Sequence, residues 1–289
     1  MDTNLLTYVF LLMTVVICWT SSFLVGLIAL ALSSLVGVFL HRIKSIGLVW
    51  ILLAGISIWI ASHPSKPTFS RWLRWMAMGA FLLMAIALSH HMLTGFNNLI
   101  VFDNVHFSAD SAPFTMYLNF DKIVVGIFIY LFLLKKRESV SWQTKDSLIT
   151  IRTFAVLLAF MVPLALATHY VRSDPKLPPQ TWLWALNNLF FVSFAEESLF
   201  RGLIQGGLAN LASATSHWKW PPLVVSSLLF GLDHYEGGLS YILLAAFAGA
   251  FYGYAYWKTY KLGSSILVHF GLNLTHFLLF SYPSLIAVH

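Results

Sequence analysis

Charge is what this sequence has least of. Of 289 residues only 10% are Asp, Glu, Lys or Arg, where a soluble domain carries about 25%. With 58% hydrophobic residues and a mean hydropathy of +0.78, that scarcity excludes an ordinary soluble domain. Cysteine is nearly absent too. The single Cys18 lies inside an apolar run, which excludes an intrachain disulfide framework and a thiolate metal cage. Basic residues are missing from Met1-Asp2-Thr3-Asn4, so a cleaved signal peptide is not expected and the first apolar run should stay as an anchor. There is no internal repeat and no low-complexity segment. The net charge of +6 comes from Lys and Arg spread through short loops, with no basic patch for nucleic acid, and reads as topological signalling.

What is present is a succession of apolar runs, each long enough to cross roughly 30 Å of hydrocarbon as a helix. They are continuous, where barrel strands would alternate in ~10-residue units. The expected fold is therefore all-α, a polytopic transmembrane helix bundle of about 8 to 9 membrane segments, multi-pass and integral to the bilayer. Residues 1–152 form an N-terminal transmembrane region of unassigned role and 153–289 a catalytic core. Leu5 to Leu40 carries no charge and suits either one long helix or two broken near Trp19-Thr20-Ser21-Ser22. Thr94 to Asp121 reads as a non-cytoplasmic loop in which Asp103, Asp110 and Asp121 are solvated. Lys135-Lys136-Arg137 is the strongest cytoplasmic signal. Both His41–Lys44 and the loop Ser62–Arg74, with Lys66, also want the cytoplasm, so either Ile46–Ala61 is re-entrant or one loop breaks the rule. Ser139–Arg152 is expected at the interface and Phe154–His169 in the membrane. Trp72, Trp75, Trp182, Trp184, Trp218, Trp220 and Trp257 fall near span ends, as an aromatic belt requires.

Against this background Glu196 and Glu197 stand out, because a charge at bilayer depth costs roughly 2.5 to 3.5 kcal/mol and marks a functional site by default. Glu197 precedes Arg201 by one helical turn and can pair with it. Glu196 lies about 100° round the helix, facing elsewhere, with lone pairs a general base could use. Phe230 and His234 share a face, with Gly231 giving room for a neighbouring helix or a substrate backbone. His269 and Asn273 share another and could together hydrogen-bond an oxyanion; His276 is on roughly the same face. Bringing Glu196 and His234 to one depth requires the Glu helix to run on beyond Arg201, to about Leu211. The remaining histidines, His41, His63, His90, His91, His106, His169, His217 and His289, lie at span ends or in loops.

The order Glu-Glu-x-x-x-Arg, Phe-x-x-x-His, His-x-x-x-Asn on successive membrane segments resembles the CPBP family of CAAX proteases and bacteriocin-processing proteins, also called the Abi family. The resemblance covers roughly Trp182–Phe280. It implies a glutamic intramembrane endopeptidase in which Glu196 activates water together with His234, His269 and Asn273 stabilise the oxyanion, and Glu197, Arg201 and Phe230 support the site. It implies no cofactor, a membrane-associated protein or peptide substrate, lipid as the surrounding partner, and a prokaryotic cytoplasmic membrane.

Three other readings stay open. Glu196, His234 and His269 could supply a His2Glu shell for zinc. A non-catalytic role in bacteriocin immunity or scaffolding would need none of these groups. A transporter or proton relay also uses buried Glu and His, although no inverted repeat supports it.

Overall fold

In the computed structural model, residues 3–63, 70–138, 141–212 and 220–286 are described. Lys66, His217, Trp218 and His289 lie outside the described residues. The chain divides into two compact units. One comprises Met1–Ile100 and Tyr117–Arg137, the other Val101–Met116 and Glu138–His289.

The first unit opens with α1 (Thr3–Thr20) and α2 (Phe23–Phe39). Of the two options for Leu5–Leu40, the broken one holds. Ser22 takes an extended conformation and its side chain accepts the Val25 N–H at 3.4 Å, the cap that starts a new helix. Next come α3 (Ser45–Ser62) and α4 (Arg71–Ser89), packed on each other. The 18 residues of α3 form an unbroken helix, about 27 Å long at 1.5 Å per residue, so this segment has the length to span rather than re-enter. Then α5 (Phe120–Ile129) passes through a π-helical turn at Tyr130–Leu134 into α6 (Lys135–Glu138). Buried Phe81, Ala85 and Leu88 face inward while Leu52, Leu83 and Met76 are exposed, an inside-out polarity suited to lipid. Asp121 corrects the expectation of a solvated loop. It is buried, bonded to His91 Nδ1 at 2.7 Å and to Asn98 Nδ2 at 3.0 Å.

The second unit contains an element that an all-α fold does not allow for. Leu99–Val105 (β1) and Phe114–Leu118 (β2) form a two-stranded hairpin. Its Phe102 and Met116 pack with Trp184 and Phe277 in one buried cluster. Trp184 stacks on Phe277 at 4.3 Å and donates its indole N–H to the Tyr282 hydroxyl at 3.2 Å. It is therefore a core residue and not part of an aromatic belt, although Trp72, Trp75, Trp182 and Trp220 are exposed. The helix α7 (Thr144–Ala167) starts earlier than expected, because Gln143 and Asp146 close a capping box. After it come α8 (Thr181–Asn187), α9 (Phe194–Glu197) and α10 (Gly206–Ala212), α11 (Trp220–Leu232), α12 (Gly238–Thr259) and α13 (Leu262–Leu279).

The protein is thus mostly helical. Five helices are long and apolar enough to cross a membrane, and Leu5–Thr20, Phe23–Phe39 and Trp220–Leu232 are shorter apolar helices.

Candidate active site

The helices α8, α9 and α10 form one helical run, joined by π-helical stretches at Asn188–Ser193 and Ser198–Gln205. Its extent to Ala212 meets the requirement that the Glu helix continue to about Leu211. A π-turn inserts an extra residue into the helical repeat and turns side chains away from the 3.6-residue face, and such turns concentrate at functional sites. Glu196 and Glu197 lie on the short α-helical piece between the two stretches, so their directions are set by both.

Glu197 has no exposed surface and is saturated with donors. Its Oε2 accepts from Arg201 Nε at 2.9 Å and from the Ser265 hydroxyl, and its Oε1 meets His269 Nδ1 at 2.9 Å. An ionised carboxylate only accepts, so its partner nitrogen on His269 carries the proton. The other ring nitrogen, Nε2, stands 3.9 Å from Glu196 Oε2. One imidazole therefore lies between the two carboxylates. Glu196 is itself only 6% exposed.

Arg201 is also fully buried, and its charge is answered in several ways. Besides Glu197 it donates from Nη1 to the Ser226 hydroxyl at 2.9 Å, and Ser226 passes a hydrogen bond to the Phe200 carbonyl. The guanidinium lies 5.1 Å from the Phe230 ring centre, within cation–π range. A Cβ on Gly249 would come within 3.1 Å of the Phe230 ring and 3.4 Å of Arg201 Nη2, so the absence of a side chain there lets α12 close on the pair.

Phe230 links the two histidines. Its ring centre is 4.6 Å from that of His234 and 5.6 Å from that of His269. The His234 Nδ1 binds the Phe230 carbonyl at 2.7 Å, which fixes this ring from its own helix. Gly231 provides the close approach expected of it, and the neighbour is a helix. A Cβ there would fall 2.6 Å from Ala246 Cβ and the Ile242 carbonyl of α12. Asn273 lies on the other side of the site and donates to Asn188 Oδ1 at 3.3 Å. His276 is bonded to the Ser281 carbonyl instead, at 3.1 Å. Contacts thus bring Glu196, Glu197, Arg201, Phe230 and His269 together directly, His234 through Phe230, and Asn273 through Asn188.

Among the described residues, no group of three or more His, Cys, Asp or Glu side chains is arranged to hold a metal ion. Glu196, His234 and His269 accordingly do not fit as a three-ligand zinc shell in this arrangement.

Four contributors carried no signal readable from a single helix. Ser265 and Ser226 look like small packing residues, Asn188 precedes the acidic pair by two turns, and Tyr252 stacks flat on His269 at 4.5 Å. A Ser one turn before His269 was the available cue, since both lie on one face of α13.

Residues 178–275 match the family model of the Rce1-like type II CAAX prenyl endopeptidases. This segment belongs to the CPBP family of CAAX proteases. All seven residues from Glu196 to Asn273 named above lie within the matched stretch. No curated protein and no solved structure matches the chain. The CAAX proteases are intramembrane proteases, and the five long apolar helices agree with an integral membrane protein.

Proposed function

We propose that the protein is a glutamic intramembrane endopeptidase that hydrolyses a peptide bond of a membrane-associated substrate, with Glu196 as general base. The observation that carries this is the inequality of the two carboxylates. Glu197 is committed to Arg201, Ser265 and His269, while Glu196 stands across the same imidazole at 3.9 Å. In this reading Glu196, with His234, takes a proton from water and the hydroxide attacks the scissile carbonyl. Asn273 and His269 bind the oxyanion. As the C–N bond breaks, Glu196 returns the proton to the leaving amine. His269 donates from Nε2 when both its nitrogens are protonated, its Nδ1 proton being held by Glu197. Glu197 and Arg201 keep the imidazole in place, and Phe230 sets the spacing of the two histidines. No metal takes part in this scheme.

The catalytic core is taken as residues 153–289, in a prokaryotic cytoplasmic membrane. The three shorter apolar helices are read as crossing along with the five long ones, and the run Thr181–Ala212 makes a ninth segment. Reconstitution with candidate membrane peptides tests the reading. Glu196→Gln should abolish cleavage while leaving the fold intact, and cleavage at the wild-type rate would refute it. Loss of cleavage with a chelator, restored by zinc, would replace the metal-free scheme.

A further inference from the structure

A second feature of the C-terminal unit lies on the outer side of the helices that carry Phe230 and Gly249. A half-open groove of about 390 Å³ runs between α7, α11 and α12. Its walls are apolar side chains, among them Val156, Leu223 and Phe251, and the cation Arg152 stands in its lining. Arg152 is exposed and forms no hydrogen bond or ion pair with another described residue. It occupies the third turn of α7, which is otherwise apolar toward its C-terminus. A cation in that place is costly unless something outside the chain answers it.

The same end of the groove carries a second cation on an aromatic platform. Lys258 Nζ lies 4.6 Å from the Trp257 ring centre and 5.5 Å from that of Tyr254. Trp257 in turn meets Trp220 edge-on at 4.8 Å, and both Trp220 and Tyr254 line the groove. The start of α7, the start of α11 and the end of α12 come together here, next to the Lys-rich turn that reads as cytoplasmic. Two cations among amphipathic aromatic rings, above an apolar channel that opens sideways, match an acidic headgroup with an acyl chain below it.

We propose that this groove binds one acidic phospholipid, with its phosphate between Arg152 and Lys258 and its chain along Val156, Leu223 and Phe251. The lipid bridges α7 to the α11–α12 pair. The site is independent of the proteolytic reading, because none of its lining residues belongs to the Glu196 cluster.

The test is native mass spectrometry of the full chain from nanodiscs containing phosphatidylcholine and phosphatidylglycerol in equal amounts. One retained phosphatidylglycerol per protein is expected, favoured over phosphatidylcholine by about tenfold or more, from two cations near an anionic headgroup. Arg152→Gln with Lys258→Gln should remove the preference. Val156→Trp, at an exposed position, fills the channel and should lower retention with both cations still present. Equal retention of the two lipids would overturn the proposal, as would undiminished phosphatidylglycerol in either variant with an unchanged elution profile. Displacement of the lipid by an equal concentration of inorganic phosphate would overturn it in favour of a plain anion site.

Discussion

Replacing Glu197 by Gln should damage this protein more than replacing Glu196, although the two are neighbours. The substitution keeps the volume and removes the charge that faces Arg201 at 2.9 Å, with both side chains fully buried. Breaking a buried ion pair by removing one partner costs about 3 to 5 kcal/mol, because the other charge is left uncompensated. Ser226 and the Phe230 ring still touch the guanidinium but bring no negative charge. With about 2 to 4 °C lost per kcal/mol in a chain of this size, the midpoint of thermal unfolding should fall on the order of 10 °C. The amide can still accept from Arg201 or from His269, but not from both with Ser265 as well, so the imidazole loses its anchor and cleavage falls too. The double variant Glu197→Gln/Arg201→Met should regain part of the lost stability, since removing both charges eliminates the orphan, but should not regain activity. Thermal unfolding in one detergent, alongside a cleavage assay, checks both arms. A Glu197→Gln protein that melts with wild type, or a double variant less stable than either single one, would refute the reasoning.

The same contacts set other outcomes. Gly231→Val should fold poorly, because a side chain there meets Ala246 and the Ile242 carbonyl at 2.6 Å; overpacking of this kind costs typically about 1 to 3 kcal/mol, read as a lower unfolding midpoint. Asn188→Ala should reduce kcat with a near-normal unfolding midpoint, since it releases Asn273 without opening a core, and Asn188→Asp, which keeps the acceptor, should restore part of the rate. Near the hairpin, the hydrogen bond from Ser108 holds the Asp174 carboxyl below the usual carboxylate range, helped by Lys176 against the opposing effect of burial. A depressed carboxyl contributes stability that is complete above its unfolded value near 3.8 and fades as pH falls through the folded value. Hydrogen exchange in residues 106–112 should therefore quicken, after correction for intrinsic rates, only below about pH 4, and no change there on acidification would contradict it.

The polar residues inside apolar runs were legible from the chain because each violates the rule that governs everything around it. Glu197 with Arg201, and Phe230 with His234, come from the helical repeat alone, and both contacts are present. The repeat could not supply the pairing of Glu197 with Ser265 and His269, which lie on a different helix and are joined only by packing. The π-turns were hidden for a related reason. They arise where a helix trades its regular hydrogen bonds for tertiary contacts, and nothing in Asn188–Ser193 differs in composition from an ordinary apolar turn. The hairpin was a missed local signal, for Leu99-Ile100-Val101-Phe102 is rich in strand formers between turn residues. Trp184 was misplaced because a Trp near a span end reads the same whether it faces headgroups or finds a hydroxyl such as that of Tyr282.

The two π-turns that bracket the acidic pair have a consequence for how this sequence can vary. A point change in Thr181–Ala212 alters one contact, but loss of a single residue from Asn188–Ser193 would convert a π-turn to an α-turn and rotate the C-terminal part of the run by about 100° relative to its N-terminal part. Every side chain of the acidic pair and its partners would survive such a deletion, and the helix would lose little length. Yet Glu196 would swing toward the place Glu197 holds, and the imidazole of His269 would meet the wrong carboxylate. In this helix the residue count is itself part of the site, so substitutions are tolerable changes and insertions or deletions are not.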